Sequence, residues 1–424
     1  MSGRIKPLPK DLNVSQQLMR PVFLMQLIFA GYMCCTSVFY FLDAIGYNNF
    51  HQAGYYFKPD RHKLEMIAIA QRYYCLGHAA VVTGIFCAMK YPVQKKYIIS
   101  QEKIVNLLLY IALAFIPIAF IFNHLDGLKQ FSYQFNTICF ISGSLALAFS
   151  IPLHRFPNII LSAVLYGYNF YSAFLSGYKE PIIISILVIG IFLYPNYKKT
   201  VLLIFVPLLL IVFMLLPTYN RIFRQSAWTN ETSAEDASKI ALNETLHASS
   251  QDENSNWGFL VYRFSEIDMF IRYLETTPKQ VPFYGYTMLR QSAEAVVPRI
   301  FWPSKPNTER VAMQRVYNAG ISNEDVEVSA KPALINDAYL FAGSAGIVIT
   351  LLLYGLTAQL ISQKAESLFG GYILGSALIF SGLFQMFWRG LSFEFLLNSV
   401  FWSYISMLLI ARLMFILRIL RVAG

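Results

Sequence analysis

Apolar runs alternate with short polar connectors along most of the chain, at about 21–43, 66–89, 104–123, 136–153, 159–176, 182–195, 200–217, 336–360, 369–388 and 395–417. A helical run of about 20 apolar residues matches the hydrocarbon thickness of a bilayer. Strands are excluded, because a lipid-exposed edge leaves backbone groups unpaired at several kcal/mol each. The pattern predicts an all-α integral membrane protein with about ten transmembrane helices, and up to twelve. The run at 182–195 is short for a full crossing and predicts a tilted or extended helix. One long polar stretch interrupts the series. It divides the chain into an N-terminal bundle of about seven helices over 1–217, a large loop over 218–335 and a C-terminal bundle of about three helices over 336–424.

Composition agrees with the pattern: 56% of residues are hydrophobic and 14% charged, against about 45–50% and about 25% in soluble domains. That excludes a disordered chain, a disulfide scaffold and a typical soluble enzyme. The formal charge of +10 raises the question of nucleic acid, and its distribution answers it. Segment 218–335 holds 12 Lys and Arg against 14 Asp and Glu, so the remaining 22 basic and 10 acidic residues lie in and between the apolar runs. Basic residues in short connectors mark the cytoplasmic side of a membrane. With the N-terminus inside, Lys90, Lys95, Lys96, Lys103, Arg155, Lys198, Lys199, Lys364, Arg412, Arg418 and Arg421 all fall in the cytoplasm, 218–335 falls outside, and the C-terminus returns inside. Arg4, Lys6, Lys10 and Arg20 precede a run longer than a signal-peptide core, which predicts a retained anchor at 21–43. Cys34, Cys35, Cys75, Cys87 and Cys139 have no CxxC spacing, so neither disulfides nor a thiolate metal site is expected.

The outer segment changes sign along its length. Residues 225–258 carry six acids and one Lys and read as a polar connector or short amphipathic helix, whereas 259–315 carry eight Lys and Arg against five acids. Phe259, Tyr262, Ile267, Phe270, Ile271 and Leu274 recur at helical spacing, which predicts a helix over 259–275 lying at the membrane surface. Pro298-Arg-Ile-Phe-Trp-Pro-Ser-Lys-Pro306 reads as a proline-stiffened loop. Arg263 and Glu266, at i and i+3, are either an intrahelical ion pair or a phosphate-binding Arg beside an acid/base carboxylate.

A basic excess outside the cell is not a topology signal and points to an anionic ligand or a solvated face. Arg72, about 1.5 turns into the second run, either snorkels to the interface or faces a cavity. Lys179 and Glu180, Asp337 and Arg389 all fall at outer helix ends, two cations and two carboxylates beside the basic loop. No P-loop, HExxH or GxSxG motif occurs, and no metal or cofactor is expected. Energy for a reaction outside the cell then has to come with the substrate, and a lipid diphosphate carries it as a leaving group.

Four features resemble the bacterial O-antigen polymerases (Wzy-type repeat-unit polymerases), which are related to the O-antigen ligases. They are Ser176-Gly-Tyr-Lys-Glu180, Arg263-Phe-Ser-Glu266 with Gly285 downstream, Pro298-Arg299…Trp302-Pro303-x-Lys305-Pro306, and Asn336-Asp337-Ala-Tyr339…Gly343-x-x-Gly346 followed by Arg389-Gly390. The resemblance spans roughly 160–400. Lys179 stands where the family usually has Arg, and Asp337 where Glu is commoner. It implies a GT-C-like, inverting, metal-independent glycosyltransferase in the bacterial cytoplasmic (inner) membrane. Donor and acceptor would be oligosaccharides on undecaprenyl diphosphate, with a chain-length regulator as a further partner and no nucleic acid. Glu266 or Asp337 would be the base. Arg263 and Arg299, with Lys179, Arg72, Arg389, Lys305 and Arg290, would hold the diphosphate or substrate. An O-antigen ligase-type transferase shares the architecture. A transporter or flippase for lipid-linked or anionic substrates is the alternative of a different class, although no internal repeat is visible.

Overall fold

The computed structural model describes residues 7–52, 54, 57–99, 103–125, 128–175, 180–227, 233–246, 257–264, 266–324 and 330–423, apart from the side chains at 129, 130, 180, 181, 213, 217 and 263. Helix follows the apolar runs. α1 (Pro21–Ala44) opens on Pro21, whose missing N–H has no partner to lose in a first turn, and widens to a π-type turn at Ala30–Cys35. α2 (Arg61–Ala88) opens on Asp60, whose carboxylate accepts from the amides of His62 and Lys63. α3 (Ile104–His124), α4 (Lys129–Ser150), α5 (Phe156–Leu175), α6 (Glu180–Leu193) and α7 (Lys198–Ala227) complete the N-terminal part. The polar stretch supplies α8 (Ala234–Leu246), α9 (Ile267–Thr276), α10 (Tyr286–Val296) and α11 (Thr308–Asn318). α12 (Leu334–Leu368), α13 (Ile373–Leu383), the short α14 (Met386–Arg389) and α15 (Phe393–Ile416) end the chain.

All ten apolar runs therefore lie on helix to within a few residues. Among the described residues, five helices are long and apolar enough to cross a membrane: α1, α3, Lys198–Leu216 of α7, α12 and α15. Ile182–Leu193 of α6 and all of α13 are apolar but shorter. Strand is confined, among the described residues, to two antiparallel two-residue ladders, β1 (Tyr47–Asn48) with β2 (His51–Gln52) and β3 (Tyr97–Ile98) with β4 (Arg421–Val422).

Contacts distinguish two ends of the bundle. The β3–β4 ladder, the Lys96 amide donating to the Ser367 carbonyl and the Arg20–Glu366 ion pair gather both ends of the chain on one face, the terminal face. Residues 257–318 meet the opposite ends of the helices, the loop face, through Asp43, His62 and Leu340. α2 and α12 run parallel between the faces. Gly84 abuts the Leu352 carbonyl and Gly355 abuts the Val81 carbonyl, with no room for a Cβ at either. Small residues allow this approach, and in lipid such packing replaces the hydrophobic effect as the force between helices.

α12 is broken near its start. Ala342 and Gly343 leave helical geometry, and Gly343 takes φ +62°, which favours glycine. A break frees carbonyls of the preceding turn. Here the amides of Tyr284 and Gly285 donate to Leu340 and Phe341 at 2.9 and 3.1 Å, while the Phe283 ring lies against Gly343. The outer segment is thus bonded into a spanning helix.

The helix expected over 259–275 at the membrane surface is placed differently. Phe259–Phe264 forms a π-type turn, Glu266 is left-handed at φ 52°, and only Ile267–Thr276 is regular helix. Its apolar face is buried against protein: Phe270 stacks on Tyr74 with centroids 5.3 Å apart and meets Tyr73 and Tyr339 edge-on. Aromatic rings of α2 and α12 offer that face a shaped, dry partner, which a lipid headgroup layer does not.

Candidate functional site

Three acids occur between residues 336 and 424, namely Asp337, Glu366 and Glu394. Each is buried, and each faces a buried arginine. On the loop face, Arg315 of α11 donates to both oxygens of Glu394 at 2.7 and 2.8 Å and to Asp337 Oδ2 at 3.1 Å. Arg315 Nε also lies 3.0 Å from Asp337 Oδ1, a charge contact whose angle does not make a hydrogen bond. The Phe393 amide donates to Asp337 at 2.9 Å. Exposure is 1%, 0% and 1% for the three side chains, so no face of Asp337 is open to a substrate in this arrangement. Two carboxylates share one guanidinium. Both sit in first turns, where the positive ends of α12 and α15 favour the second negative charge. The cluster fastens the outer segment to two spanning helices.

A second clasp closes the terminal face. Arg20 donates to both oxygens of Glu366, both of Asp11 and to Gln17, so all five of its N–H groups are engaged, under the Tyr91 ring at 4.0 Å. The Arg20 hydrogen bond holds the Asp11 carboxyl below the usual carboxylate range. Beside the clasp opens a cavity of about 530 Å³, walled by Ile98, Ile191, Phe192 and Leu374 with Lys95 at the edge.

Glu266, the other expected carboxylate, lies differently. It is half-buried and accepts from Tyr32 Oη at 2.9 Å. Tyr32 is twelve residues from the end of α1, roughly 18 Å along the helix, so Glu266 reaches well inside the bundle. Tyr32 lines a void of about 20 Å³ together with Phe29, Trp388 and Arg389. Around that void, Trp388 Nε1 is buried without a hydrogen-bond partner, as is Nε2 of His78, whose ring stacks on Phe29. Arg389 donates to Tyr133 Oη at 2.8 Å, and Tyr133 in turn to Gln385. Tyr32 and Arg389 thus border one small space, and Tyr32 links it to the Glu266 carboxylate, which lies outside its lining; a carboxylate can take a proton and a guanidinium can hold an anion.

Of the remaining expected residues, those that the structure describes do not join them. The regular i, i+3 spacing of Arg263 and Glu266 is lost where the chain turns at Glu266, and the side chain of Arg263 lies outside the described residues. Lys179 also lies outside them. Arg72 is exposed and eleven residues into α2, deeper than 1.5 turns because that helix starts at Arg61. Arg290 is an exposed i, i+4 partner of Glu294. Arg299 and Lys305 are engaged with backbone: Arg299 donates to the carbonyls of Lys305 and Pro306, and buried Lys305 to those of Ala295 and Val297. Burial, then the charge of Arg299, lowers the Lys305 pKa. Among the described residues no group of three or more His, Cys, Asp or Glu side chains is arranged to hold a metal ion.

Sequence reasoning missed Arg315, Glu394, Arg20, Glu366 and Tyr32. Glu366 and Glu394 fall in the short connectors between apolar runs, where an acid calls for no buried cation, so no local signal marked them.

Five helices among the described residues that are long and apolar enough to cross a membrane, with buried acid–arginine clasps at both ends of α12, are those of an α-helical membrane protein. The chain belongs to the family described as a domain of unknown function, DUF8712, whose model matches residues 1–422. Among curated proteins and among solved structures, nothing matches the chain.

Proposed function

We propose that the protein is a membrane glycosyltransferase that joins undecaprenyl-diphosphate-linked oligosaccharide repeat units into a surface polysaccharide. It works without metal on the outer face of a bacterial cytoplasmic membrane, with ten crossings and both termini in the cytoplasm. The observation that carries the reading is Glu266: a half-buried carboxylate in left-handed backbone, held inside the bundle by Tyr32, which itself lines a small void with Arg389. Strained backbone around a reactive side chain is characteristic of sites that trade stability for function. An apolar surround suits a substrate carried on a lipid.

In the reaction, the acceptor hydroxyl oxygen forms a bond to the donor's anomeric carbon from the face opposite the diphosphate. The anomeric C–O bond breaks, and its electron pair leaves with undecaprenyl diphosphate. Glu266 takes the hydroxyl proton. Arg389 and Arg263 stabilise the charge growing on the leaving group, the kind of preorganised term that contributes several kcal/mol. Asp337, enclosed with Arg315, has a fastening role instead. The cavity on the terminal face favours a transporter as the second reading. Purified protein in liposomes, given lipid-linked repeat units without nucleotide or metal, separates the two. Polymerisation gives a ladder of longer lipid-linked glycans. Transport moves the lipid across the bilayer with its covalent structure intact.

A further inference from the structure

The motif Pro298-Arg-Ile-Phe-Trp-Pro-Ser-Lys-Pro306 bonds its own backbone to an unusual degree. Lys305 Nζ donates to the carbonyls of Ala295 and Val297 at 2.7 and 2.8 Å, Trp402 Nε1 of α15 to Val296 at 2.8 Å, and Arg299 to Lys305 and Pro306 at 2.9 and 3.4 Å. Three side chains thus satisfy five carbonyls at the end of α10 and in the loop after it. The Pro298 and Trp302 carbonyls accept from amides within the loop. Pro298, Pro303 and Pro306 contribute no N–H that would need a partner. In water the carbonyls buried against protein, such as that of Ala295, would still need partners, while solvent would serve the exposed one of Pro306; in hydrocarbon every one of them needs a protein donor.

The depth of the segment agrees. Trp402, which binds Val296, is nine residues past the start of α15, roughly 13 Å along a spanning helix. Leu340, which binds Tyr284, is six residues past the start of α12, roughly 9 Å along it. Yet the tip of the segment is apolar and uncovered: Phe301 and Tyr286 are each 78% exposed and Ile300 58%.

We infer that residues 283–306 form a re-entrant element in the lipid leaflet on the loop face, with Ile300, Phe301 and Tyr286 packed among acyl chains. Arg290 and Arg299 lie along the same element with their guanidinium groups held by Glu294 and by the Lys305 and Pro306 carbonyls. The inference needs the membrane placement but not the glycosyltransferase reading.

The test places benzoylphenylalanine at Phe301, at Tyr286 and, as a solvent-facing control, at Lys279, one at a time, in the full chain. Each variant is reconstituted in nanodiscs of phosphatidylethanolamine and phosphatidylglycerol, irradiated and weighed by mass spectrometry. A lipid adduct at 301 or 286 with none at 279 is the expected result. No adduct at either, or equal adducts at all three, overturns the inference. Lys305→Met in the 301-labelled chain should cut the adduct about fivefold or more, because two hydrogen bonds are lost. An unchanged adduct would show that the carbonyl bonding does not hold the loop in lipid.

Discussion

Replacing Arg315 by Met keeps much of the side chain's volume and removes its charge. Asp337 and Glu394 would then remain fully buried with no cation, and their oxygens would lose contacts of 2.7 to 3.1 Å. Removing one partner of a buried ion pair costs about 3–5 kcal/mol. At roughly 2–4 °C per kcal/mol for a cooperative unit of 150–250 residues, that predicts a fall in Tm of about 6–20 °C. The assay is thermal unfolding in detergent, with limited proteolysis of 257–324 as a local readout. The damage should be relieved by Asp337→Asn and Glu394→Gln added to Arg315→Met, since neutral amides do not repel each other. Arg315→Lys should fall between, keeping the charge and losing the two-pronged contact. A wild-type Tm and unchanged proteolysis in Arg315→Met would refute the view that this cluster fastens the outer segment to α12 and α15.

Two further predictions concern opposite faces. Arg263→Ala, at equal protein in the membrane, should slow polymerisation by about tenfold to a hundredfold, equivalent to roughly 1.4–2.7 kcal/mol of lost transition-state stabilisation; near-normal turnover would remove Arg263 from the site. The Asp11–Arg20 contact should persist from pH 7 to pH 5. Its carboxyl pKa is depressed, so its contribution is complete above the unfolded value of about 3.9 and is lost as pH falls through the lower folded value. Hydrogen exchange of residues 9–20 checks this, and release near pH 6 would contradict it.

The helices were legible because membrane helices are specified locally: a run of apolar residues settles the element wherever it packs. The carboxylates were legible only as candidates. Glu266 and Asp337 look alike in sequence, and what separates them is a contact from Arg315, 22 residues before Asp337, and one from Tyr32, 234 residues before Glu266. Arg299 and Lys305 read as ligands for an anion because their charge is visible in the sequence, while the carbonyls they bind are not. Gly343 was quoted as part of a motif; that it breaks α12 and admits Tyr284 and Gly285 depends on tertiary bonding. Arg20 precedes the first apolar run and read as a topology charge, although its partner Glu366 lies 346 residues away.

The central claim is that Glu266 serves glycan transfer on a lipid-linked substrate. The most direct test compares wild-type protein with Glu266→Gln in the reconstituted ladder assay, at matched amounts of monodisperse protein. Loss of a general base commonly costs about a hundredfold or more. Wild-type protein should build the ladder, and Glu266→Gln should slow it by that factor while still binding the lipid-linked substrate. A ladder formed at full rate by Glu266→Gln, or substrate left intact by the wild type, would contradict the account.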